Sequence, residues 1–294
     1  MLPFGVILKL LARKPLIFDM HENYPAALKS YKKTSFIERI LKNYKAAEVV
    51  EKFLIRFVNK IIVVTEENKN RLLERGIPSK KIKLVSNTVD IEQFTPTTSL
   101  PSESQNYADN FTLIYSGRVS FNRGLDTAIE ALQYLKNSVP NVKLLIVGEG
   151  PHLPKLKKLA NVLGVEEYVD FLSWPGHAKI KGYISMADIC LIPQPSNEHA
   201  DTTVPHKLFE YMSQAKPILS SDAKPLKRIL EETKSGLWFE SNNPKDFAKK
   251  VEEIKNSHAD YGVNGKKAVE NKYNWENDKR ELLDLYLELS GGRR

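Results

Sequence analysis

Beyond Phe111 the chain alternates between apolar runs of four to six residues and longer stretches of helical period. Strands are expected at Phe111–Tyr115, Val142–Val147, Val169–Leu172, Ile189–Ile192 and Pro217–Ser220. Helices are expected between and after them, at Gly124–Lys136, Leu153–Leu163, Lys179–Ser185, His206–Ser213 and Leu226–Glu232. Two more, Pro244–Asn256 and Asn274–Leu289, close the chain. Sequential strands joined by helices cannot form hairpins. They form a parallel sheet whose two faces are covered by the helices, so the class is α/β.

The first third follows the same grammar less regularly. PLIFDM (Pro15–Met20), KIIVVT (Lys60–Thr65) and Lys81–Val85 read as buried strands. From Ser35 to about Asn59, Phe36, Ile37, Ile40, Leu41, Tyr44, Ala47, Val50 and Leu54 recur at three- and four-residue steps. That spacing predicts a helix with those residues on its buried face, opened by the capping box Ser35…Glu38. A helix over Glu66–Arg75 is stopped by Gly76-Ile77-Pro78. Residues 95–110 are rich in Ser, Thr, Pro and Asn and have no periodicity, so they read as a linker. The expected partition is 1–95, a linker over 96–110, a second domain over 111–272 and a terminal helix over 273–294.

At 294 residues and 41% apolar content, two cores are affordable. No run approaches the roughly 18 apolar residues that span a bilayer. Phe4–Ala12 is short, is interrupted by Lys9 and lacks a small-residue cleavage site, so it is not read as a signal peptide. The one cysteine, Cys190, excludes an internal disulfide and a cysteine metal cage. Its apolar surroundings make it a buried thiol, and a reducing, cytoplasmic compartment fits. The net charge of +8 is not spread evenly: residues 1–100 carry 18 Lys and Arg against 10 Asp and Glu, and the remainder is balanced. Such an excess suits nucleic acid, an anionic lipid surface or phosphorylated ligands, or else serves only solubility. No aromatic-rich binding strand or basic recognition helix accompanies it, so no nucleic-acid partner is expected.

Parallel sheets take ligands at the carboxyl ends of their strands. The first such end reads Ser116-Gly117-Arg118-Val119-Ser120-Phe121-Asn122-Arg123-Gly124. Glycines let backbone approach a ligand, and arginines five apart suit bidentate phosphate contact, unless they are only solvated loop residues. The second end, Gly148-Glu149-Gly150-Pro151, is a tight turn but no dinucleotide fingerprint, and no P-loop occurs. The third is a long polar loop from Pro193, ending Thr202-Thr203-Val204-Pro205-His206-Lys207-Leu208-Phe209-Glu210. A helix start there offers amides to an anion, Lys207 a point charge, and Glu210 a carboxylate for two ribose hydroxyls. A surface Glu favoured by the helix dipole is the plainer account of Glu210. His21 follows the first strand, where a structural role competes with a catalytic one. No Asp-x-Asp pair offers ligands for a metal ion, and no zinc or nucleophile-elbow motif appears.

Taken in order, FDMHENYP (Phe18–Pro25), KIIVVTEENKNRLLERG (Lys60–Gly76), KIKLVSNTVDIEQF (Lys81–Phe94), YSGRVSFNRGLDTAIEAL (Tyr115–Leu132), LLIVGEGPHLPKLKKLA (Leu144–Ala160) and VPHKLFEYMSQAKPILSSD (Val204–Asp222) resemble a family 4 glycosyltransferase. The resemblance runs over nearly the whole chain. It implies the GT-B fold, two Rossmann-like domains with parallel sheets, the last helix crossing back to the first domain. It implies retaining transfer of a sugar, as by hexosyltransferases, from a nucleotide-diphosphate sugar to an envelope glycolipid or polysaccharide precursor. No metal and no cofactor besides the donor is implied. By the same resemblance Arg118 and Arg123 hold the donor diphosphate, with Gly117 beside them. Glu210 holds the ribose, and Thr203, His206 and Lys207 meet the phosphates. Residues from Leu172 to Pro175, including Trp174, line the base pocket, and His21 faces the donor sugar and the acceptor.

Three positions depart from the family pattern. Arg123 stands where the family usually has Lys. Thr202 stands where many members carry an acid that contacts the donor sugar, with Asp201 or Glu198 as substitutes. The chain also begins late in the pattern, so the N-terminal domain is expected to be incomplete, lacking the first strand, its Gly-rich loop and the next strand–helix units. That leaves a truncated gene, a late start, or a second chain that completes the domain. The expected partners are a nucleotide sugar, a lipid-linked or glycan acceptor and an anionic surface on the inner face of the membrane. The rival expectation is a non-catalytic or split-enzyme subunit that binds a nucleotide sugar.

Overall fold

The computed structural model describes residues 2–30, 43–94 and 100–291. They form two compact units: the first comprises Met1–Asn87, Asn197–Val204 and Trp275–Arg294, the second Thr88–Ser196 and Pro205–Asn274.

In the first unit three parallel strands, β1 (Ile17–Met20), β2 (Lys60–Val63) and β3 (Ile82–Leu84), lie in that order. Met20 sits opposite Val63, and Val63 opposite Leu84. Helices α1 (Leu2–Ala12), α2 (Tyr24–Ser30), α3 (Tyr44–Leu54) and α4 (Glu66–Glu74) accompany them. Neither α1 nor α2 was expected. The α3 helix is shorter than its apolar period suggested, and the part expected over Ser35–Lys42, with its capping box, lies outside the described residues. Asn43 caps α3 by accepting the Lys45 and Ala46 amides at 3.0 and 3.2 Å.

The buried face of α3 is largely the expected one, with Tyr44, Ala47 and Leu54 partly buried on it, but it includes Glu51 and leaves out Val50. Val50 is 45% exposed and Phe53 57%, whereas Glu51 is buried and continues into buried Ile55. The reason is electrostatic: Glu51 Oε1 accepts from Arg71 Nη1 at 3.1 Å and from Arg75 Nη1 at 3.3 Å, both from the neighbourhood of α4. A carboxylate can be buried when two guanidiniums satisfy it, so Glu51 joins the apolar residues on that face.

The second unit is a doubly wound sheet of order β6-β5-β4-β7-β8-β9, every neighbouring pair parallel. Its elements in chain order are β4 (Phe111–Ser116), α5 (Leu125–Ser138), β5 (Val142–Val147), α6 (Leu153–Val162), β6 (Val169–Leu172), α7 (His177–Met186), β7 (Ile189–Ile192), α8 (Lys207–Ser213), β8 (Ile218–Ser221), α9 (Lys224–Thr233), β9 (Gly236–Phe239), α10 (Pro244–Lys255) and α11 (Tyr261–Asn271). Strand side chains Leu113, Leu144, Ile146, Leu191 and Leu219 meet Ile129 and Leu132 of α5 and Phe247 and Val251 of α10 in one core. Cys190 is buried in β7, and burial pushes its thiol well above the usual range. Two elements were not expected. β9 is a four-residue strand beginning with glycine, and a Cβ on Gly236 would overlap the Ile218 carbonyl of β8. In α11, Gly262 and Gly265 lower helix propensity, but Gly265 lets the helix lie close on Met212 of α8.

The final helix, α12 (Trp275–Leu289), belongs to the first unit. Leu285 packs with Ile62 and Val85, Lys60 pairs with Glu288 at 2.6 Å, and Lys83 pairs with Glu281. Asp278 accepts the Ser86 amide at 3.0 Å.

Candidate active site

In the second unit the strand order reverses between β4 and β7. Such a reversal leaves a crevice at the carboxyl ends of the two strands, because their following helices go to opposite faces. The loops there are laced together by backbone. The Gly117 amide donates to the Val147 carbonyl at 2.9 Å, the Val119 amide to that of Glu149 at 2.8 Å, and the Gly148 amide to that of Leu172 at 2.8 Å. The approach is close enough that a Cβ on Gly148 would overlap the Gly117 carbonyl. The result is an open cleft of about 290 Å³ lined by Gly117, Arg118, Gly148, Glu149 and Trp174.

Arg118 is exposed in this cleft, and its side chain has no hydrogen-bond or ion-pair partner among the described residues. Its backbone is braced from below: the Tyr115 hydroxyl donates to the Arg118 carbonyl at 2.8 Å. Arg123, in the same strand-to-helix turn, is partly buried and donates from Nη1 to Gln194 Oε1 at 2.6 Å. Gly124 then turns the chain into α5 with φ of 69°, where a Cβ would overlap the Pro193 carbonyl. Trp174 stands edge-on to His177, ring centroids 5.4 Å apart.

From α8, Lys207 reaches under the loop. Its Nζ donates to the Ser116 carbonyl and lies 3.7 Å from the centroid of the Tyr115 ring. Burial, and secondarily Arg123, push its ammonium down to about 7, while Glu210 pulls the other way. Tyr211 completes the support, its hydroxyl accepting the Ser116 amide at 3.0 Å. Glu210 is half-buried, 3.6 Å from Nε2 of the exposed His206. The amides of Leu208, Phe209 and Glu210 already donate to the carbonyls of Pro205 and His206.

Other residues singled out from the sequence lie in the first unit. His21 follows β1, exposed, its Nε2 3.1 Å from Asp19 Oδ2. Thr202 and Thr203 belong to the Asn197–Val204 segment, where their hydroxyls donate to the His199 carbonyl at 3.0 and 3.3 Å and their amides close local turns. That segment is tied into the first unit by Lys29–Glu198 at 2.6 Å, His199–Glu22 at 2.9 Å and Thr65 Oγ1 donating to the Thr202 carbonyl at 2.9 Å. Among the described residues no three His, Cys, Asp or Glu side chains converge as a metal site would require.

Sequence reasoning passed over Gly148 and Glu149 as site residues, although the Gly-Glu-Gly-Pro turn was visible at a strand end. It also missed Gln194, Tyr115 and Tyr211. No sequence signal distinguishes those tyrosines from ordinary core aromatics.

A doubly wound sheet with a glycine-walled cleft at its switch point, carrying Arg118, Glu149 and Trp174, defines an α/β protein of the kind that takes ligands at that place. The comparisons narrow the class. The profile described as Glycosyl transferases group 1 matches residues 97–273, and that of Glycosyltransferase Family 4 matches residues 1–93. The chain belongs to the group 1 glycosyltransferases, family 4, with the GT-B fold. It is 26% identical over 222 residues to an uncharacterized glycosyltransferase, MJ1607, of Methanocaldococcus jannaschii, covering 71% of this chain and 54% of that protein. It is 26% identical over 220 residues to the putative colanic acid biosynthesis glycosyltransferase WcaL of Escherichia coli, covering 73% and 53%. The chain thus spans about half the length of these relatives. Among solved structures, Anabaena Alr3699/HepE in complex with UDP and glucose superposes with a TM-score of 0.77 at 17% identity, covering 98% of this chain and 75% of that one.

Proposed function

We propose that the chain binds a nucleotide-diphosphate sugar in the cleft of the second unit and transfers the sugar, with retention, to an envelope glycolipid or polysaccharide precursor. The observation that carries this reading is Arg118, a guanidinium with no partner among the described residues, on a glycine-walled loop at the switch point. Its fork geometry suits two diphosphate oxygens. Arg123, oriented by Gln194, supplies the second cation. As the sugar leaves, negative charge grows on the nucleotide, and two fixed guanidiniums stabilise it without metal participation. Trp174 offers an aromatic wall for the base, and Glu210, one helical turn into α8, a carboxylate for ribose hydroxyls. His21 is assigned to the acceptor side.

The WcaL likeness supports a polysaccharide acceptor, and the HepE complex supports UDP as the nucleotide. An anionic membrane surface is the expected place of action. Supporting it, Phe4, Ile7, Leu8, Leu10 and Leu11 of α1 are 53–77% exposed. Lys9 of α1 donates to the Phe57 carbonyl at 2.6 Å, just beyond α3, whose Val49, Val50 and Phe53 are also exposed. No helix among the described residues is long and apolar enough to cross a membrane.

Thermal-shift titration with UDP and GDP tests the donor site. A nucleotide at 100 times its Kd should add about 2.7 kcal/mol to stability. The expected result is a shift with one nucleotide that is lost in Arg118→Ala. A cooperatively melting protein that shifts with neither would overturn the reading. A shift without any sugar transfer would favour the binding-subunit alternative.

A further inference from the structure

Lys207 is part-buried and is not one of the residues lining the cleft. A Cβ on Gly117, which does line it, would come within 3.1 Å of Nζ, so the amine lies close behind a residue of the cleft wall. The groups around it come from three elements: the Tyr115 ring from β4, Arg123 from the turn before α5, and Glu210 from α8 itself. Tyr211 sits on the other side of the Ser116 peptide. Two cations and one carboxylate in a poorly solvated place cannot all be comfortably charged. In the ligand-free state burial and Arg123 disfavour the ammonium, and the amine titrates near neutrality, at about 7. The contact with the Ser116 carbonyl does not need the charge, because a neutral amine still donates.

A diphosphate would change this balance. Held by Arg118 and Arg123, it places negative charge above Gly117, close to Nζ through a low-dielectric wall, and opposite charge favours the ammonium. We propose that Lys207 is a proton-coupled donor-site residue that takes up a proton when a nucleoside diphosphate enters the cleft and gives it up when the nucleotide leaves. The proton comes from solvent and joins the Nζ lone pair; no bond breaks. This rests on the donor-site reading above and adds a mechanism to it. The free cleft avoids a third fixed positive charge, and donor affinity acquires a pH dependence of its own.

The test is calorimetric titration of the full chain with UDP and with GDP at about pH 8, in two buffers of different ionisation enthalpy. The terminal phosphate, with its pKa near 6, is then already ionised and contributes little. The expected result is uptake of about half a proton or more per nucleotide, and a Kd that weakens as pH rises through the alkaline range, by at most about tenfold per pH unit. Lys207→Met should abolish both. Binding without proton uptake overturns the inference and leaves the donor site standing, as does uptake that persists in Lys207→Met. Should that variant fail to fold, the wild-type profile decides: a Kd independent of pH from about 7.5 to 9.5 overturns the inference. If neither nucleotide binds, the donor-site reading falls and the inference falls with it.

Discussion

Two cations beside the cleft, Arg118 in the turn after β4 and Lys207 at the start of α8, have opposite circumstances, and their variants should behave oppositely. Arg118 is solvated, unpaired and structurally idle, so removing it costs the fold little. Arg118→Ala should lower kcat/KM by a factor of about 100 or more while Tm stays near wild type. A rate close to wild type would show that the charge on the departing nucleotide is met elsewhere. Lys207 is part-buried, and desolvation pushes its ammonium from the ordinary 10.5 down to about 7. Across that interval the unfolded chain binds a proton that the folded chain lacks, so wild-type stability rises with pH from about 7 to about 10 on this account. Below 7 the penalty for burying the charge is fully present. Lys207→Met removes the titration and leaves the Ser116 carbonyl without its donor, a loss of about 1–3 kcal/mol that does not depend on pH. The variant's Tm minus the wild-type Tm should therefore be highest near pH 6 and fall steadily toward pH 10. A flat difference would show that the amine is not desolvated in solution.

At the scale of elements, the α3–α4 pair depends on a carboxylate. Glu51 joins Arg71 and Arg75, with Arg75 also holding Glu48 at 2.7 Å. The Arg71 and Glu51 side chains keep only 12% and 9% of their surface in water. Replacing a paired buried charge by alanine leaves the partners unpaired, which costs about 3–5 kcal/mol. Glu51→Ala should lower the denaturation midpoint by that amount, whereas Glu48→Ala, at a half-exposed position, should cost about 1 kcal/mol or less. Equal effects would mean that the network is solvated. The helix period had placed Val50 and Leu54 on the buried face. It could not reveal Glu51, because burial of a carboxylate depends on arginines twenty and more residues away. The β4, β5 and β7 strands were legible for the opposite reason: they are buried almost throughout, so each is a largely apolar run, continuous in β7 and interrupted only by Thr112 and Ser116 in β4 and Lys143 in β5.

Over the whole molecule, the charge excess and the exposed apolar residues of α1 and α3 fall in the same unit. Arg13, Lys14, Lys45, Lys52 and Arg56 are exposed, as are Phe4, Leu8, Phe53 and Phe57. Basic residues near an anionic surface contribute about 1 kcal/mol each, and apolar side chains add to that by insertion. Co-sedimentation with phosphatidylserine vesicles at low salt should therefore be strong, should weaken as salt rises, and should drop in Leu8→Glu and Phe53→Glu. Absence of binding at low salt would remove the peripheral-membrane reading and leave the basic excess as a solubility feature.

What the sequence by itself determined is local. Apolar runs bounded by turn residues established the strands, and the ends of those strands located Gly117 and Arg118, which follow from periodicity and from the rule that parallel sheets bind ligands at their carboxyl edge. Trp174 came from the family resemblance, and the fold gathers all three on one cleft. What only the tertiary structure decided is everything set by long-range neighbours. The Asn197–Val204 segment, in sequence an insertion between β7 and α8, belongs to the first unit because Lys29, Glu22 and Thr65 hold it there. Lys207, read in sequence as a point charge for an anion, is drawn against Tyr115, Ser116 and Gly117 and is part-buried there. The physical reason is common to both: charge state and attachment depend on which groups replace solvent, and those groups are remote in the chain.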